Sequence, residues 1–138
     1  MTGRSRFNNV LVVTPEGCAD YIHTRALRRF SNNILELNFI ETSKRFGIVE
    51  TRKLISLIVA RENIEVLFLT VYADSYLLPL EFLRDLRKTV KIVLVTYDDE
   101  NAFETHSKYY AQVVDAVVTT DFFQSMPIVG RGYLRSFA

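Results

Sequence analysis

The sequence predicts an α/β domain in three layers, with a doubly wound sheet of five parallel strands between helices. Short apolar runs rich in Val, Leu and Ile alternate along the chain with amphipathic stretches. Most of these runs are continuous, which is typical of strands buried on both faces of a parallel sheet. The 138 residues have the length of one domain. We therefore expect a single domain over residues 1–138, with residues 1–8 flexible and residues 121–138 forming a terminal extension.

Five apolar runs are the predicted strands. The second run differs from the others because apolar and polar residues alternate in it, a pattern that fits a strand at the edge of a sheet. The runs are Val10–Val13, Ile34–Ile40, Val66–Val71, Ile92–Val95 and Ala116–Val118. The expected core of the sheet consists of Leu11, Val13, Leu67, Leu69, Val93, Val95 and Val117.

Helix patterns separate the runs. Apolar residues recur every three or four positions over Tyr21–Phe30 and Val49–Arg61, which predicts two amphipathic helices. A third helix is expected to start near Pro79, since proline is favoured at the first helical position. A fourth follows Asp98-Asp99, and its apolar face consists of Phe103, His106, Tyr110 and Val113. Right-handed crossovers between five such strands favour the strand order 2-1-3-4-5.

The carboxyl edge of this sheet is the expected ligand site, because ligands of open α/β sheets bind beyond the strand ends at the point where strand order reverses. The loops after the first, third and fourth strands are acidic and aromatic. We expect them to bind a neutral, hydroxyl-rich ligand, since several carboxylates at one rim repel an anion. The predicted binding residues are Thr14, Glu16, Gly17, Tyr72, Asp74 and Tyr97.

Asp98 and Asp99 are the candidate catalytic residues of this edge. One of them can accept a proton from a hydroxyl of the ligand as a general base. Aspartate is also among the best helix caps, and one cap is enough for the helix that follows. The sequence therefore predicts one capping and one functional carboxylate and leaves open which is which.

Several function classes are excluded or weakened. The chain contains no G-x-G-x-x-G, no G-x-x-x-x-G-K-[ST] and no G-x-S-x-G, the signatures of dinucleotide-binding domains, P-loop nucleotidases and α/β-hydrolases. A phosphoacceptor receiver domain would carry paired acids where this chain has Val13-Thr14, and a lysine near Thr119. A net charge of +1 provides no field that attracts nucleic acid.

Localisation, metals and cofactors are constrained by absences in the sequence. No apolar run approaches the ~20 residues that span a bilayer, and no apolar segment of a signal peptide follows the polar start of the chain. The single Cys18 forms neither an internal disulfide nor a zinc site by itself. We therefore expect a cytoplasmic protein without a metal or cofactor. A metal-dependent hydrolase using Glu16, Asp74 and Asp98 is a weaker alternative, because no histidine at metal-ligand spacing accompanies these acids.

Four passages, in this order, carry a resemblance to a known family. A strand and a Gly-containing turn lead into His23-Thr24-Arg25-Ala26-Leu27, and a later helix leads through Asn63-Ile64-Glu65 into a strand. The fourth strand ends in Tyr97-Asp98-Asp99, and Tyr109–Asp121 matches a "Y…D-x-V-x-T-x-D/S" pattern. Together they resemble the N-terminal half of two-domain, Rossmann-like (GT-B type) glycosyltransferases, most closely the spore-maturation CgeB-like branch, although Asn63 and Glu65 replace the proline and aspartate usual there.

The resemblance implies a function and a partner. In such enzymes the N-terminal domain binds the acceptor, a second Rossmann-like domain holds most of the nucleotide-sugar, and the reaction takes place between them. This chain would then be an acceptor-binding domain that is inactive alone, with a sugar-type acceptor and a second domain or protein partner. The resemblance also falls on Asp98 and Asp99.

A different class of function remains open. A stand-alone receiver-like or flavodoxin-like interaction module, without phosphoacceptor chemistry, has the same strand order. Such a module would dimerise or dock on a partner. We also expect self-association of the isolated domain through the apolar residues of 121–138.

Overall fold

The computed structural model of the chain describes residues 6–15, 26–70, 78–96 and 108–119. These residues form one five-stranded, all-parallel sheet with the order β2-β1-β3-β4-β5. The predicted α/β class and the predicted strand order are therefore confirmed. The strands are β1 (Phe7–Thr14), β2 (Ser31–Asn38), β3 (Val66–Leu69), β4 (Lys91–Thr96) and β5 (Ala116–Thr119).

The helices that the structure describes after β2 all cover one face of the sheet. Apolar residues from alternate positions of the strands pack there against residues of these helices, among them Phe39, Ile55 and Leu83, in the larger buried cluster. Leu27, in the last turn before β2, packs on the opposite face against Val10 and Val12. The helices are α1 (Phe39–Phe46), α2 (Ile48–Arg61), α3 (Leu80–Leu86) and α4 (Lys108–Tyr110), and α4 continues as the 3₁₀ turn Ala111–Val113.

The boundary between β2 and α1 differs from the expectation. The predicted strand ran to Ile40, but β2 ends at Asn38 and Phe39 begins a helix that the periodicity did not predict. The Asn38 side chain caps this helix, because its Oδ1 accepts a hydrogen bond from the Glu41 backbone N–H at 3.0 Å. Phe39 is fully buried in the larger cluster. Capping and burial together outweigh the alternating pattern.

Gly47 separates α1 from α2 and prevents them from forming one long helix. Its φ of 97° is a conformation that L side chains rarely adopt, and its N–H donates to the Ser43 carbonyl at 2.9 Å. No atom lies within 4 Å of the position that a Cβ would take. The backbone conformation, rather than space, therefore requires glycine here.

The expected core is confirmed except at one position. Six of the seven predicted residues are buried, but Val93 is half-buried. Val93 pairs with Phe68, which is also half-buried, and the two therefore share the face opposite the larger cluster. The described helices cover that face less completely, which explains why the expectation was wrong for Val93.

A polar ladder at the amino edge of the sheet supports the register of β1 with β2. Asn32 Nδ2 donates to Asn8 Oδ1 and Asn33 Nδ2 donates to Asn9 Oδ1, each at 3.0 Å. Asn9 Nδ2 in turn donates to the Glu62 carbonyl at 2.9 Å, which connects the end of α2 to β1.

Asn8 belongs to the segment expected to be flexible, yet it lies in β1. Residues 1–5 and 121–138 lie outside the described residues.

Candidate functional site

The order of the strands places the switch point between β1 and β3. From β1 the chain passes to β2 on one side, and it then returns to β3 on the other side. Thr14 is the last residue of β1, and Thr70 follows directly after β3. Because Val13 pairs with Leu69, the two threonines are neighbours across the sheet. They form the described part of the edge at which ligands of such sheets bind.

Both threonines are fully buried. The Thr70 backbone N–H donates to the Val13 carbonyl at 3.0 Å, which continues the ladder between the strands to this point. The Thr70 hydroxyl oxygen, in contrast, has no hydrogen-bond partner. A buried hydroxyl without a partner destabilises a protein by about 1–3 kcal/mol, so its presence at the ligand edge is a reason to consider a binding role.

Among the described residues, one other buried side-chain atom has no hydrogen-bond partner, and it is the Ser31 Oγ. Ser31 lies at the start of β2, at the opposite edge of the sheet, where the Arg6 guanidinium donates to its carbonyl. Of these two described hydroxyls, that of Thr70 is the one at the carboxyl edge.

Threonine recurs at this edge. The residue that ends a strand, or directly follows it, is Thr14, Thr70, Thr96 or Thr119 in four of the five strands. Thr96 is buried as well, and strand alternation puts it on the face of Leu94, opposite the face of Thr70. Thr14 was predicted as a binding residue from the sequence, whereas Thr70 and Thr96 were not. The signal that could have found them is the repeated pattern of a buried run ending in threonine.

Most of the predicted site falls outside the described residues. Thr14 lies at the carboxyl edge as expected. The other predicted binding residues and both candidate catalytic aspartates are outside the described ranges, and they are Glu16, Gly17, Tyr72, Asp74, Tyr97, Asp98 and Asp99. The described ranges contain no group of three histidine, cysteine or acidic residues that could hold a metal ion. The acids of the hydrolase alternative, Glu16, Asp74 and Asp98, lie outside these ranges.

The passage that carries the strongest resemblance has a structural role. Asp115 Oδ2 accepts a hydrogen bond from the Ile92 backbone N–H at 2.8 Å, and its Oδ1 accepts one from Arg87 Nε at 3.1 Å. The buried Tyr110 hydroxyl donates to the Leu78 carbonyl at 2.9 Å. These contacts join β5, β4 and α3. These residues of the motif therefore attach β5 to the rest of the sheet. Asp115 precedes β5 and so lies at the amino edge, away from the ligand edge.

Comparison with known proteins adds no assignment. No protein-family model matches this sequence, and no curated protein matches it. Among the described residues, no helix is both long and apolar enough to cross a bilayer.

Proposed function

We propose that this chain is an acceptor-binding α/β domain of a glycosyltransferase, which binds a hydroxyl-rich ligand at the carboxyl edge of β1 and β3. The observation that carries the proposal is the buried, unpaired hydroxyl of Thr70 beside Thr14 at the switch point. A threonine hydroxyl both donates and accepts a hydrogen bond, as a sugar hydroxyl does. A ligand hydroxyl that reaches Thr70 would complete the hydrogen bonding that the protein leaves unsatisfied.

Two further features support this class of function. The fold is a doubly wound parallel α/β sheet, the broad class that the resemblance implies, and such sheets bind ligands at this edge. The passage from Tyr109 to Asp121 resembles the family pattern, and its described part forms the β4–β5 side of the sheet. In this proposal the nucleotide-sugar is held mainly by a second domain, so the chain alone does not turn over.

The direct test is binding of simple glycosides to the full chain. Titration with a panel of methyl glycosides, followed by NMR, should give saturable shifts for the wild type. We expect the Thr70→Val variant to lose these shifts and Thr70→Ser to retain them, because serine keeps the hydroxyl. Thr89→Val is the matched control, since Thr89 lies at the amino edge and its hydroxyl donates to the Leu86 carbonyl. Nanomolar binding of a uridine diphosphate sugar by this chain alone would contradict the two-domain proposal.

The same substitution has a predicted effect on stability. Thr70→Val should raise the free energy of unfolding by about 1 kcal/mol in the absence of ligand, because valine has the same shape and no hydroxyl to desolvate. Urea denaturation followed by circular dichroism measures this change. Improved stability with lost binding is the signature of a binding residue retained at the expense of stability. A clear loss of stability would instead mean that the Thr70 hydroxyl is satisfied in the folded protein.

The second candidate is a protein-interaction module with the same fold. The observation that favours it is the exposure of Phe46, Val49 and Leu57 on α1 and α2, since exposed apolar clusters mark interaction surfaces. The coding sequence distinguishes the two functions. A continuation past Ala138 into a second α/β domain of ~150 residues favours the glycosyltransferase, and a stop codon favours the module.

A further inference from the structure

A shallow groove, made of two depressions that share three lining residues, runs along α2 on the side that faces α3. One part, of about 680 Å³, lies beside the second half of α2 and is lined by Asp85 of α3 among other residues. The other part, of about 560 Å³, lies beside the first half of α2 and is lined by Arg52 and Lys53. Ser56 and Ala60 line both parts. Since α2 has 14 residues and is therefore roughly 21 Å long, the groove has the length of a short helix.

The floor of this groove is low and its border is apolar. Ser56 and Ala60 are small and lie one turn apart on α2, which allows another helix to approach closely. Val49 and Leu57 of the same helix are exposed, and 49% of the surface of Leu57 is accessible to solvent. One helix therefore carries both the projecting apolar side chains and the depression that could receive them.

The two ends of the groove have opposite charge. Arg52 and Lys53 make the first end basic, and Asp85 lies at the other end. Within the part of the chain that the structure describes, Lys53 and Asp85 form ion pairs with exposed neighbours on the same helix, at 3.5 Å to Glu50 and 3.2 Å to Lys88. Such exposed pairs contribute little, so both charges can take part in a new contact.

We propose that this groove is an interface between two copies of the chain, in which the α2 helices pack antiparallel about a twofold axis near Ser56. A twofold interface requires a surface that is complementary to itself. The antiparallel arrangement brings Leu57 of each copy over the small residues of the other. It also brings the basic end of one groove over the acidic end of its partner. The proposal is independent of the glycosyltransferase assignment.

The apolar contact is tested by a substitution at Leu57. Sedimentation equilibrium of the full chain should show a monomer–dimer equilibrium for the wild type. We expect Leu57→Glu to weaken dimerisation roughly tenfold or more, as for a central apolar contact. Leu35→Glu is the matched control, because Leu35 is an exposed leucine of β2, outside the groove, and it should leave the dimer unchanged. A wild type that stays monomeric at all concentrations, or a dimer that tolerates Leu57→Glu, would overturn the proposal.

The antiparallel orientation is tested by exchanging charges. Lys53→Glu and Asp85→Lys should each weaken the dimer, because each introduces like charges between the copies. The variant with both changes should restore dimerisation, and a mixture of the two single variants should form a heterodimer. Because both positions are exposed, thermal unfolding should confirm that all variants fold. Single variants that dimerise as the wild type does, or a double variant that stays weakened, would exclude this arrangement.

Discussion

Leu67→Ala or Leu69→Ala should lower the free energy of unfolding by about 2–5 kcal/mol, the usual loss for a buried leucine. The two residues lie in β3 between β1 and β4, and both belong to the larger buried cluster. Removal of either side chain leaves a cavity that strands on both sides hinder from collapsing. Urea denaturation of each variant, monitored by circular dichroism, measures the loss.

The matched control is Leu35→Ala in β2. The Leu35 side chain is 38% exposed, whereas Leu67 is only 1% exposed, so this variant should lose less than about 1 kcal/mol. Equal losses at Leu35 and Leu67 would mean that burial in the sheet does not determine the effect. Since a domain of this size has a total stability of about 5–15 kcal/mol, we expect a variant with both core changes to be largely unfolded.

Asp115→Ala should lower the free energy of unfolding by about 1.5–3 kcal/mol, since its carboxylate makes charge-assisted hydrogen bonds. One of these satisfies the Ile92 backbone N–H at the start of β4, and the other holds the Arg87 side chain at the end of α3. Removal of the carboxylate leaves a part-buried N–H without its partner. Thermal and urea unfolding of the purified variant measure this loss.

Asp85→Ala is the control for this variant. The Asp85 side chain is 76% exposed in its pair with Lys88, and the Asp115 side chain is 22% exposed, so at concentrations at which the chain is monomeric the Asp85 change should stay within about 0.5 kcal/mol. Unchanged stability of the Asp115 variant would show that this carboxylate is not a structural lock. The aspartate of the family-like passage would then need another explanation, such as a role in binding.

The structural role of Asp115 weakens the resemblance as evidence for a catalytic function. Tyr110 and Asp115, two of the described polar residues in the passage that most resembles the family, both make structural hydrogen bonds. A motif of this kind is better evidence for how β5 joins the sheet than for a catalytic function. The functional proposal therefore depends on the carboxyl edge, where Thr70 combines full burial with an unpaired hydroxyl, and its decisive experiment is the comparison of Thr70→Val with Thr70→Ser.

The candidate site was predictable in its position and only partly in its residues. The position of the switch point follows from strand order alone, so Thr14 could be assigned to the carboxyl edge from the sequence. Thr70 gave no signal as a single residue, because a threonine after an apolar run is ordinary in a strand. Whether its hydroxyl has a partner depends on atoms brought near it by the fold, and no local pattern contains that information.

The sequence by itself determined the class of fold, the strand order and most of the core. Continuous apolar runs identify strands that are buried on both faces, because such a strand needs apolar residues at successive positions. The right-handedness of crossovers then leaves few possible strand orders. Pro79 likewise indicated the start of α3, where it is the N-cap residue.

Only the tertiary structure decided features that depend on distant partners. Phe39 and Ile40 continue an alternating pattern, yet capping by Asn38 and burial of Phe39 make them the start of α1. Asp115 gains its role from Arg87 and Ile92, which are 28 and 23 residues away along the chain. The degree of burial of Val93 also depends on distant residues, because it is set by the helices that cover its face of the sheet. Local periodicity reports which side chains avoid water, whereas hydrogen-bond partners and the degree of burial are set by packing between separate elements.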